Sequence, residues 1–428
     1  MKIDMLMVYP LPTTDSPALL TPLSILFPGA MFEQAGLQVE YFDERFDSPD
    51  LLVDLIKNSA EIGVSAFTGY QTGRAADILI KAKEINPGII TGVGGHHAII
   101  LPDQVLAEPF VDKVWPERAY GEELFPYNEK TKIHFKRTEM QYFTSRGCPH
   151  ACSFCALKSP WEPKNIDAVD RELKIMHNDL GFAEISFSDP NIAFSAREAE
   201  RVSRIKQIGH IMRDISVKWD GNLRSTYLTP AMVDALVASN CFSVEIGCES
   251  GNDYFLRNVI KKGHGVAEIR EAAKNIRGSG ISVMYSFIAN MPGETHEMLL
   301  DTLDLIDWVI ATDPDARVSI YNYAPYPGNK MYEDAVAGIN GYPKFVPPTT
   351  MKGWSELKLM KSPLYWIAGL NFRRDNSKKN FPGDEWKLIE PYIELAEEKW
   401  QSRDINDFPC QEVEDLITIQ LNKNKNEC

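Results

Sequence analysis

The apolar positions of this chain fall into two successive series of short β-rich runs and amphipathic stretches. In residues 1–116, the runs alternate with stretches whose apolar residues recur every three to four positions. This alternation is typical of a parallel sheet covered by helices on both faces. The pattern predicts strands at residues 3–8, 39–42, 62–65, 89–93 and 111–115, and helices at residues 23–34, 51–58 and 73–85.

Polar or small residues follow the ends of these strands, at Asp43, residues 65–68 and residues 94–97. In an open α/β sheet, the carboxyl ends of the strands form the crevice where ligands bind. Residues 1–118 are therefore predicted to form a Rossmann-like domain that can hold a molecule of cofactor size. The neighbouring His96 and His97 are interpreted either as metal ligands or as polar residues at a strand end.

A charged, turn-rich segment at residues 119–136 is predicted to link this domain to a second βα series. Six βα units predict a partial (β/α)6 TIM barrel over residues 137–337, with chemistry at the carboxyl ends of its strands. The predicted strands are residues 141–145, 184–188, 217–219, 243–247, 282–288 and 318–323, and the helices are residues 167–178, 195–211, 230–238, 266–277 and 297–311.

The remaining residues, 338–428, are predicted to form a small cap or substrate-facing extension with one clear helix near residues 386–402. Its aromatic and basic residues either line a substrate pocket or pack against the barrel, and packing is the expected role of the aromatic side chains. These residues are Trp354, Tyr365, Trp366, Phe372, Arg373 and Arg374.

The net charge of −15 over 428 residues narrows the range of expected partners. An acidic surface is repelled by phosphate backbones and anionic lipids, so neither nucleic acid nor a membrane surface is an expected partner. The least polar stretch, residues 18–32, is broken by Pro22, Pro28 and Gly29 and is too short to span a bilayer. Because the N-terminal residues lack the pattern of a signal peptide, the expected location is the cytoplasm.

Three of the seven cysteines lie within eight residues, at Cys148, Cys152 and Cys155. The spacing C-x3-C-x2-C places three thiols on one loop after a predicted strand, so the loop can wrap one compact metal centre. Soft thiolates select iron-sulfur clusters, zinc or cuprous copper. An all-cysteine 4Fe-4S site takes four ligands, so three thiolates leave one iron open to an exogenous ligand.

The alternatives to a cluster are a zinc-binding loop and three unliganded core thiols. A closed zinc site needs a fourth ligand, and His150 is the candidate, but it lies between the first two cysteines, where simultaneous ligation is awkward. Phe154, directly before the third cysteine, and the βα series around the loop favour the cluster. Cys241 and Cys248 fall in or beside a predicted barrel strand, where inert core thiols are usual.

With Cys148, Cys152, Phe154 and Cys155 in this order, the chain resembles the radical S-adenosylmethionine (SAM) superfamily, whose motif is C-x3-C-x-aromatic-C after the first strand of a partial barrel. The resemblance implies a 4Fe-4S cluster whose open iron chelates the amino and carboxylate groups of SAM. It also implies that an electron from a reductant such as flavodoxin or ferredoxin enters the sulfonium and, in many members, yields a 5'-deoxyadenosyl radical. The cofactors supply this chemistry, while the protein positions the substrate and excludes water.

Segments after the cysteine loop are similar to those of the superfamily in the same order. Ser188 and Asp189 lie where the family holds the SAM amino group, although the usual Gly-Gly-Glu is absent. Arg224 ends a segment similar to the third strand of the family, and Glu249 lies in a Gly-x-Glu-Ser-Gly segment. The alternative for Arg224 and Glu249 is a structural ion pair. The SAM contacts implied by the resemblance are Phe154, Ser188, Asp189, Arg224 and Glu249.

The N-terminal domain resembles the cobalamin-binding Rossmann-like domain of one large branch of the superfamily. The segments that carry this resemblance are residues 19–23, 41–43, 64–68, 93–98 with 101–102, and 120–123. The Asp-x-His-x-x-Gly motif that ligates cobalt in other cobalamin proteins is absent. Either the corrin is held without a histidine ligand, or the domain has kept its fold and lost the cofactor. In the first case the implied crevice residues are Ser65, Thr68, Gly94, Gly95 and His96.

Three hypotheses follow from these observations. The first is a cobalamin-dependent radical SAM methyltransferase that methylates an unreactive carbon. The second is a radical SAM enzyme without cobalamin, which performs a dehydration, a rearrangement or a ring-forming step. The third is a non-catalytic binding module stabilised by a metal. For both enzymes, the habits of the family make a small metabolite or natural-product intermediate the expected substrate.

Overall fold

The computed structural model describes residues 2–12, 20–115, 124–157, 159–289, 291–313, 316–323, 325–339 and 344–356. The chain divides into two compact units. Among the described residues, the N-terminal unit contains the chain up to Gln141 with residues 178–180 and 346–356, and the barrel unit contains residues 142–177 and 181–345. The helix expected near residues 386–402 and the candidate residues Tyr365, Trp366, Phe372, Arg373 and Arg374 lie outside the described residues.

The N-terminal unit is built on a parallel sheet of five strands in the order β2-β1-β3-β4-β5. This order confirms the predicted Rossmann-like architecture. The strands are β1 (Ile3–Tyr9), β2 (Val39–Asp43), β3 (Ser59–Ser65), β4 (Ile90–Gly94) and β5 (Lys113–Val114). The helices are α1 (Leu23–Gln34), α2 (Pro49–Asn58), α3 (Tyr70–Ile85), α4 (His96–Ile100), α5 (Pro102–Leu106) and α6 (Lys132–Lys136).

Apolar residues of the central strands hold these helices against the sheet. Leu6 and Ile62, on neighbouring strands, are fully buried in the same core cluster as Ile56 of α2 and Leu79 of α3. The start of α2 is fixed locally, because the Ser48 hydroxyl accepts a hydrogen bond from the Leu51 backbone N–H at 3.3 Å. Burial of one face, at Leu52 and Ile56, together with this cap explains why the periodic pattern located α2.

The barrel unit contains a six-stranded sheet in the order β6-β9-β10-β11-β12-β13, which confirms the predicted partial barrel. Its strands are β6 (Gln141–Tyr142), β9 (Glu184–Phe187), β10 (Lys218–Leu223), β11 (Cys241–Glu249), β12 (Ser282–Ala289) and β13 (Ala316–Asn322), and a separate hairpin consists of β7 (Ser145–Cys148) and β8 (Ser159–Pro163). The helices are α7 (Ile166–Leu180), α8 (Glu198–Asp214), α9 (Pro230–Val237), α10 (Val266–Ile276), α11 (His296–Thr312) and α12 (Lys330–Ala337).

The first barrel strand differs from its prediction over residues 141–145. It ends at Tyr142, and Ser145 instead pairs with Pro163 in the antiparallel hairpin. The physical reason is Asp189, whose carboxylate accepts hydrogen bonds from the backbone N–H groups of Thr144 at 2.8 Å and Ser145 at 3.1 Å. These donors are therefore not available to the parallel sheet, and the cysteine loop closes a hairpin rather than following a barrel strand.

Part of the predicted linker at residues 119–136 is packed in the N-terminal unit. His134 and Phe135 in α6 are buried, as are Leu124 and Tyr127. The domain boundaries remain predictions, but these residues belong to a folded region rather than to an extended connection. Among the described residues, no helix combines the length and the apolar character needed to cross a bilayer.

Residues 346–356 of the predicted C-terminal extension lie in the N-terminal unit, while the role of residues 338–428 as a cap stays a prediction. Helix α13 (Met351–Glu356) belongs to the N-terminal unit and packs against α3. Trp354 is fully buried there and contacts Gln104 and His97. The aromatic signal correctly indicated burial but could not identify the surface that is covered.

A buried ion pair closes the end of β2. The Arg45 guanidinium donates to Asp43 Oδ1 at 2.9 Å and to Oδ2 at 2.7 Å, and both side chains are fully buried. Arg45 also donates to the Leu20 carbonyl at 2.8 Å, and its guanidinium carbon lies 4.5 Å from the centroid of the Tyr9 ring. Removal of one partner would leave an uncompensated charge in the interior.

We expect Arg45→Met to lower the free energy of unfolding of the N-terminal unit by about 3–5 kcal/mol, because the Asp43 carboxylate then stays buried without the guanidinium that pairs with it. The measurement is urea unfolding of the full chain. The matched control is Lys57→Met, whose ion pair with Asp54 is 57% and 73% exposed, and we expect a change below about 1 kcal/mol. Equal losses in the two variants would contradict this account.

Candidate cluster and cofactor sites

Cys155 lies near enough to Cys148 and Cys152 to feel their charges, but the described residues contain no group of three or more His, Cys, Asp or Glu side chains already arranged to hold a metal ion. Cys152 is buried, and Cys148 and Cys155 are partly exposed. Burial raises the pKa of the Cys155 thiol, the Leu157 N–H opposes the rise, and the nearby Cys152 and Cys148 raise the pKa further. The Leu157 N–H donates to Cys155 Sγ at 3.4 Å. Three soft sulfur donors with a backbone donor to one of them fit an iron-sulfur cluster.

Ser153 anchors the loop between the second and third cysteines. Its backbone N–H donates to the Ile260 carbonyl at 2.9 Å, and its hydroxyl donates to the Val259 carbonyl at 2.9 Å. Its own carbonyl accepts from the Met331 N–H at 3.1 Å. The polar groups of one residue thus tie the loop to two other segments of the barrel unit, which restricts the positions of the thiols.

Lys262, which lies outside the sequence motifs, is close to the loop. Lys262 Nζ donates to Glu249 Oε1 at 2.5 Å, and the two side chains are only 9% and 8% exposed. The same Nζ lies 5.8 Å from the centroid of the Phe154 ring. Arg224 donates to the Lys262 carbonyl. The structure therefore brings together three predicted SAM contacts, Phe154, Arg224 and Glu249, around one buried cation.

The backbone conformation at the end of β11 determines the direction of the Glu249 side chain. Glu249 has φ of +66°, a left-handed conformation that residues with side chains adopt rarely and often at functional sites. The pairing with β12 shifts register between Gly247 and Glu249, which marks a bulge. A Cβ atom at Gly247 would lie 2.3 Å from Glu249 Oε1 and 2.7 Å from Lys262 Nζ, so a side chain there would displace the ion pair from its present position.

The end of β9 holds two of the predicted SAM contacts in different roles. Asp189 is fully buried, and its carboxylate is engaged by Thr144 and Ser145, so its side chain organises the hairpin. Burial raises the pKa of Asp189 to about 6, although these hydrogen bonds oppose the rise. Ser188 Oγ is buried without a hydrogen-bond partner among the described residues. An orphaned hydroxyl at a strand end fits a polar ligand group better than the engaged carboxylate does.

His150, the alternative fourth metal ligand, is held by two aromatic residues. Its Nε2 lies 3.4 Å from the Tyr227 hydroxyl, and its ring centroid lies 5.6 Å from that of Phe194. Burial lowers the pKa of His150 to about 4, and the charges of Arg224 and Lys262 add to this effect. The imidazole is therefore neutral at pH 7.

Cys241 and Cys248 lie in β11 and are buried. Burial raises the pKa of both thiols far above the ordinary value, which fits the prediction of inert core residues.

The predicted crevice residues of the N-terminal unit gather at the carboxyl ends of β3 and β4. Ser65 and Gly94 are paired in register at the ends of these strands. Gly95 has φ of +86°, and a Cβ atom there would lie 2.7 Å from the Ala66 carbonyl oxygen. The turn after β4 therefore requires a residue without a side chain.

Aromatic and hydroxyl side chains surround this turn. The His96 ring stacks on the partly exposed Phe67 ring with centroids 5.1 Å apart. The Ser65 hydroxyl donates to Ser24 Oγ at 2.9 Å, and Thr68 Oγ1 lies 3.0 Å from His97 Nδ1. A glycine turn beside an accessible pair of flat rings fits a flat ligand such as a corrin, whereas the two hydroxyls are already bonded within the protein.

Comparison with known proteins identifies two family models in the chain. The radical SAM superfamily model matches residues 142–306, and the B12 binding domain model matches residues 13–126. An uncharacterized methyltransferase, PH0819, from Pyrococcus horikoshii is 30% identical over 333 residues, which cover 64% of this chain and 69% of that protein. The anaerobic magnesium-protoporphyrin IX monomethyl ester cyclase of Rubrivivax gelatinosus is 23% identical, and the match covers 64% of this chain and 58% of the cyclase.

Solved structures share the fold. The methyltransferase TsrM from Kitasatospora setae, solved with cobalamin and a [4Fe-4S] cluster, aligns with a TM-score of 0.67 and 15% identity over 95% of this chain and 90% of TsrM. The cobalamin-dependent enzyme OxsB, solved with aqua-cobalamin and SAM, aligns with a TM-score of 0.64 and 14% identity over 99% of this chain and 75% of OxsB. On its sequence matches, the chain belongs to the radical SAM superfamily, in a branch that carries an N-terminal B12 binding domain.

Proposed function

We propose that this protein is a cobalamin-dependent radical SAM methyltransferase that acts on an unreactive carbon of a small molecule. The observation that supports it most is the combination, in one chain, of the three-thiol loop with a matching B12 binding domain. A relative at 30% identity is described as a methyltransferase, which favours methyl transfer over other outcomes.

In this proposal Cys148, Cys152 and Cys155 hold a 4Fe-4S cluster. Bound there, the cluster supplies the electron that cleaves SAM, and cobalamin carries the methyl group. Arg224 places positive charge beside the loop, which favours binding of the negatively charged cluster and of the SAM carboxylate, whereas the charge of Lys262 is balanced by Glu249.

The same end of the barrel offers the polar groups that SAM requires. Ser188, Arg224 and Glu249 are proposed to orient it, with Phe154 as an apolar contact, whereas the Asp189 side chain acts through the hairpin. Ser65, Thr68, Gly94, Gly95 and His96 are proposed to contact the corrin. Gly95 allows the backbone to approach it closely.

The second candidate is a radical SAM enzyme that retains the N-terminal fold without the corrin. Two observations favour it: the Ser65 and Thr68 hydroxyls are bonded within the protein, and one relative is described as a cyclase. We further propose a small-molecule substrate, a flavodoxin or ferredoxin as the electron donor, and a cytoplasmic location.

The products of anaerobic turnover separate these candidates. With SAM, dithionite and added cobalamin but without the unidentified substrate, transfer of the methyl group of one SAM to reduced cobalamin would leave S-adenosylhomocysteine, and one-electron cleavage of a second SAM would give methionine and 5'-deoxyadenosine. The proposal expects both nucleosides, and S-adenosylhomocysteine only when cobalamin is present. Formation of 5'-deoxyadenosine alone would favour the second candidate, and bound zinc without either nucleoside would favour a non-catalytic module.

We expect the alanine variants of Cys148, Cys152 and Cys155 each to lose the cluster, because the two remaining thiolates would leave two irons without a protein ligand. The measurement is iron and sulfide content after anaerobic reconstitution, together with the absorbance of the sulfur-to-iron charge-transfer bands in the visible region. The matched control is Cys241→Ala, a buried strand thiol, which should retain full iron content. A full cluster in any of the three loop variants would refute the assignment.

We expect Gly95→Ala to prevent retention of cobalamin, because the added Cβ collides with the Ala66 carbonyl and moves the turn. The control is Gly36→Ala, since Gly36 also has positive φ, +85°, but has nothing within 4 Å of the added Cβ. Corrin absorbance after gel filtration measures retention. Equal retention in both variants would remove this turn from the proposed crevice.

We expect Lys262→Met to weaken SAM binding at least about tenfold without loss of iron, because Glu249 then remains buried and unpaired. Equilibrium dialysis with labelled SAM measures the affinity. The neighbouring Lys261 is exposed, so Lys261→Met is the matched control and should bind SAM as the wild type does. Unchanged affinity in Lys262→Met would contradict a role for this ion pair in the SAM site.

A further inference from the structure

The chain that follows the barrel returns to the N-terminal unit. We name residues 346–356 the C-terminal strap. The Thr72 hydroxyl of α3 donates to the Met351 carbonyl at 2.8 Å, and the Met351 N–H donates to Glu108 Oε1 at 2.6 Å. Met351 is fully buried in the same core cluster as the central strands. The strap is therefore part of the packed interior of this unit.

Two hydrogen bonds join the C-terminal strap to the side-chain amide of Gln104. Trp354 Nε1 donates to Gln104 Oε1 at 2.7 Å, and Gln104 Nε2 donates to the Pro348 carbonyl at 2.8 Å. Trp354 is fully buried, and its ring centroid lies 5.7 Å from that of His97 at an interplanar angle of 72°. The indole thus contacts the helix that begins directly after the glycine turn.

His97 connects this contact to the proposed corrin crevice. Its Nδ1 lies 3.0 Å from Thr68 Oγ1, and its backbone N–H donates to the Ala66 carbonyl at 3.0 Å. His97 and Thr68 are both fully buried. Burial lowers the pKa of His97 to about 4, so the ring is neutral at pH 7 and its bond to Thr68 does not depend on charge.

The strap also reaches the turn after β3 by a second route. Thr72 Oγ1 lies 2.6 Å from the Gly69 carbonyl oxygen and 2.8 Å from the Met351 carbonyl oxygen, so its one proton is shared between the two acceptors, and Gly69 directly follows Thr68. Buried side chains in close contact transmit displacement, because protein interiors are densely packed. Two separate chains of contacts therefore link the strap to the residues that follow β3 and β4.

We propose that Trp354 and His97 are positioning residues of the crevice, and that the C-terminal strap is a structural part of the cofactor-binding domain. The indole holds His97, which holds Thr68 and the turn at Ala66, so the crevice is ordered only when the strap is docked. The part of this proposal that concerns the corrin rests on the proposed function, whereas the ordering of the two turns does not.

Hydrogen exchange of the full chain without cofactor tests the ordering. In Trp354→Ala, amide exchange in residues 66–72 and 96–101 should accelerate at least about tenfold, because the lost indole frees His97. Lys352→Ala is the matched control, since Lys352 lies on the same helix in an exposed pair with Asp77. Faster exchange confined to residues 346–356 would overturn the proposal.

Cobalamin titration of the same variants separates positioning from general destabilisation. Trp354→Ala should raise the cobalamin Kd at least about tenfold with unchanged iron content, and Trp354→Phe, which keeps an aromatic ring against His97, should restore most of the affinity. A lower melting temperature with an unchanged Kd would assign the strap a purely structural role and overturn the positioning of Thr68. If the wild type binds no cobalamin, the proposed function fails, and the exchange experiment alone decides the role of the strap.

Discussion

The buried carboxylate of Asp189 determines where the cysteine hairpin begins. By accepting the backbone N–H groups of Thr144 and Ser145, it draws the chain out of the barrel sheet after β6 and allows Ser145–Cys148 to pair with β8. The ion is costly to bury, which is why its pKa rises, and the hydrogen bonds compensate for that cost. Asp189, which follows β9, thus restricts the position of the first thiol through the hairpin. Ser153 restricts the other two through its hydrogen bonds to the segment that precedes Lys262.

The charged side chains around the loop are likewise held by contacts within the barrel unit. Lys262 and Glu249 neutralise each other in a nearly dry environment, and Arg224 bonds the backbone that carries Lys262. Such a pair contributes little to stability on its own, because desolvation offsets most of the attraction. The ion pair lies beside the thiols, and Glu249 has a left-handed backbone conformation. Both features indicate that the pair serves the candidate site rather than the stability of the fold.

Much of the fold followed from the periodic pattern. Apolar spacing located α1 at its observed bounds, and short apolar runs placed all five N-terminal strands, because strands covered by helices on both faces are buried along most of their length. The split of the first barrel strand was not predictable, since it depends on hydrogen bonds to Asp189, 44 residues away from Ser145. The docking of Trp354 on the N-terminal unit depends likewise on contacts 250 residues apart along the chain.

The candidate site was predictable only in part. The cysteine spacing is local and therefore visible in the sequence, and the order of later segments indicated Arg224 and Glu249. Lys262 carried no signal, because its role arises from a bulge and a turn that bring it to Glu249. The most direct test of the account is electron paramagnetic resonance of the reduced, reconstituted protein with and without SAM. We predict a reduced 4Fe-4S signal whose g-values shift when SAM is added; the absence of that signal, or a signal that SAM leaves unchanged, would contradict an open iron on the three-thiol loop.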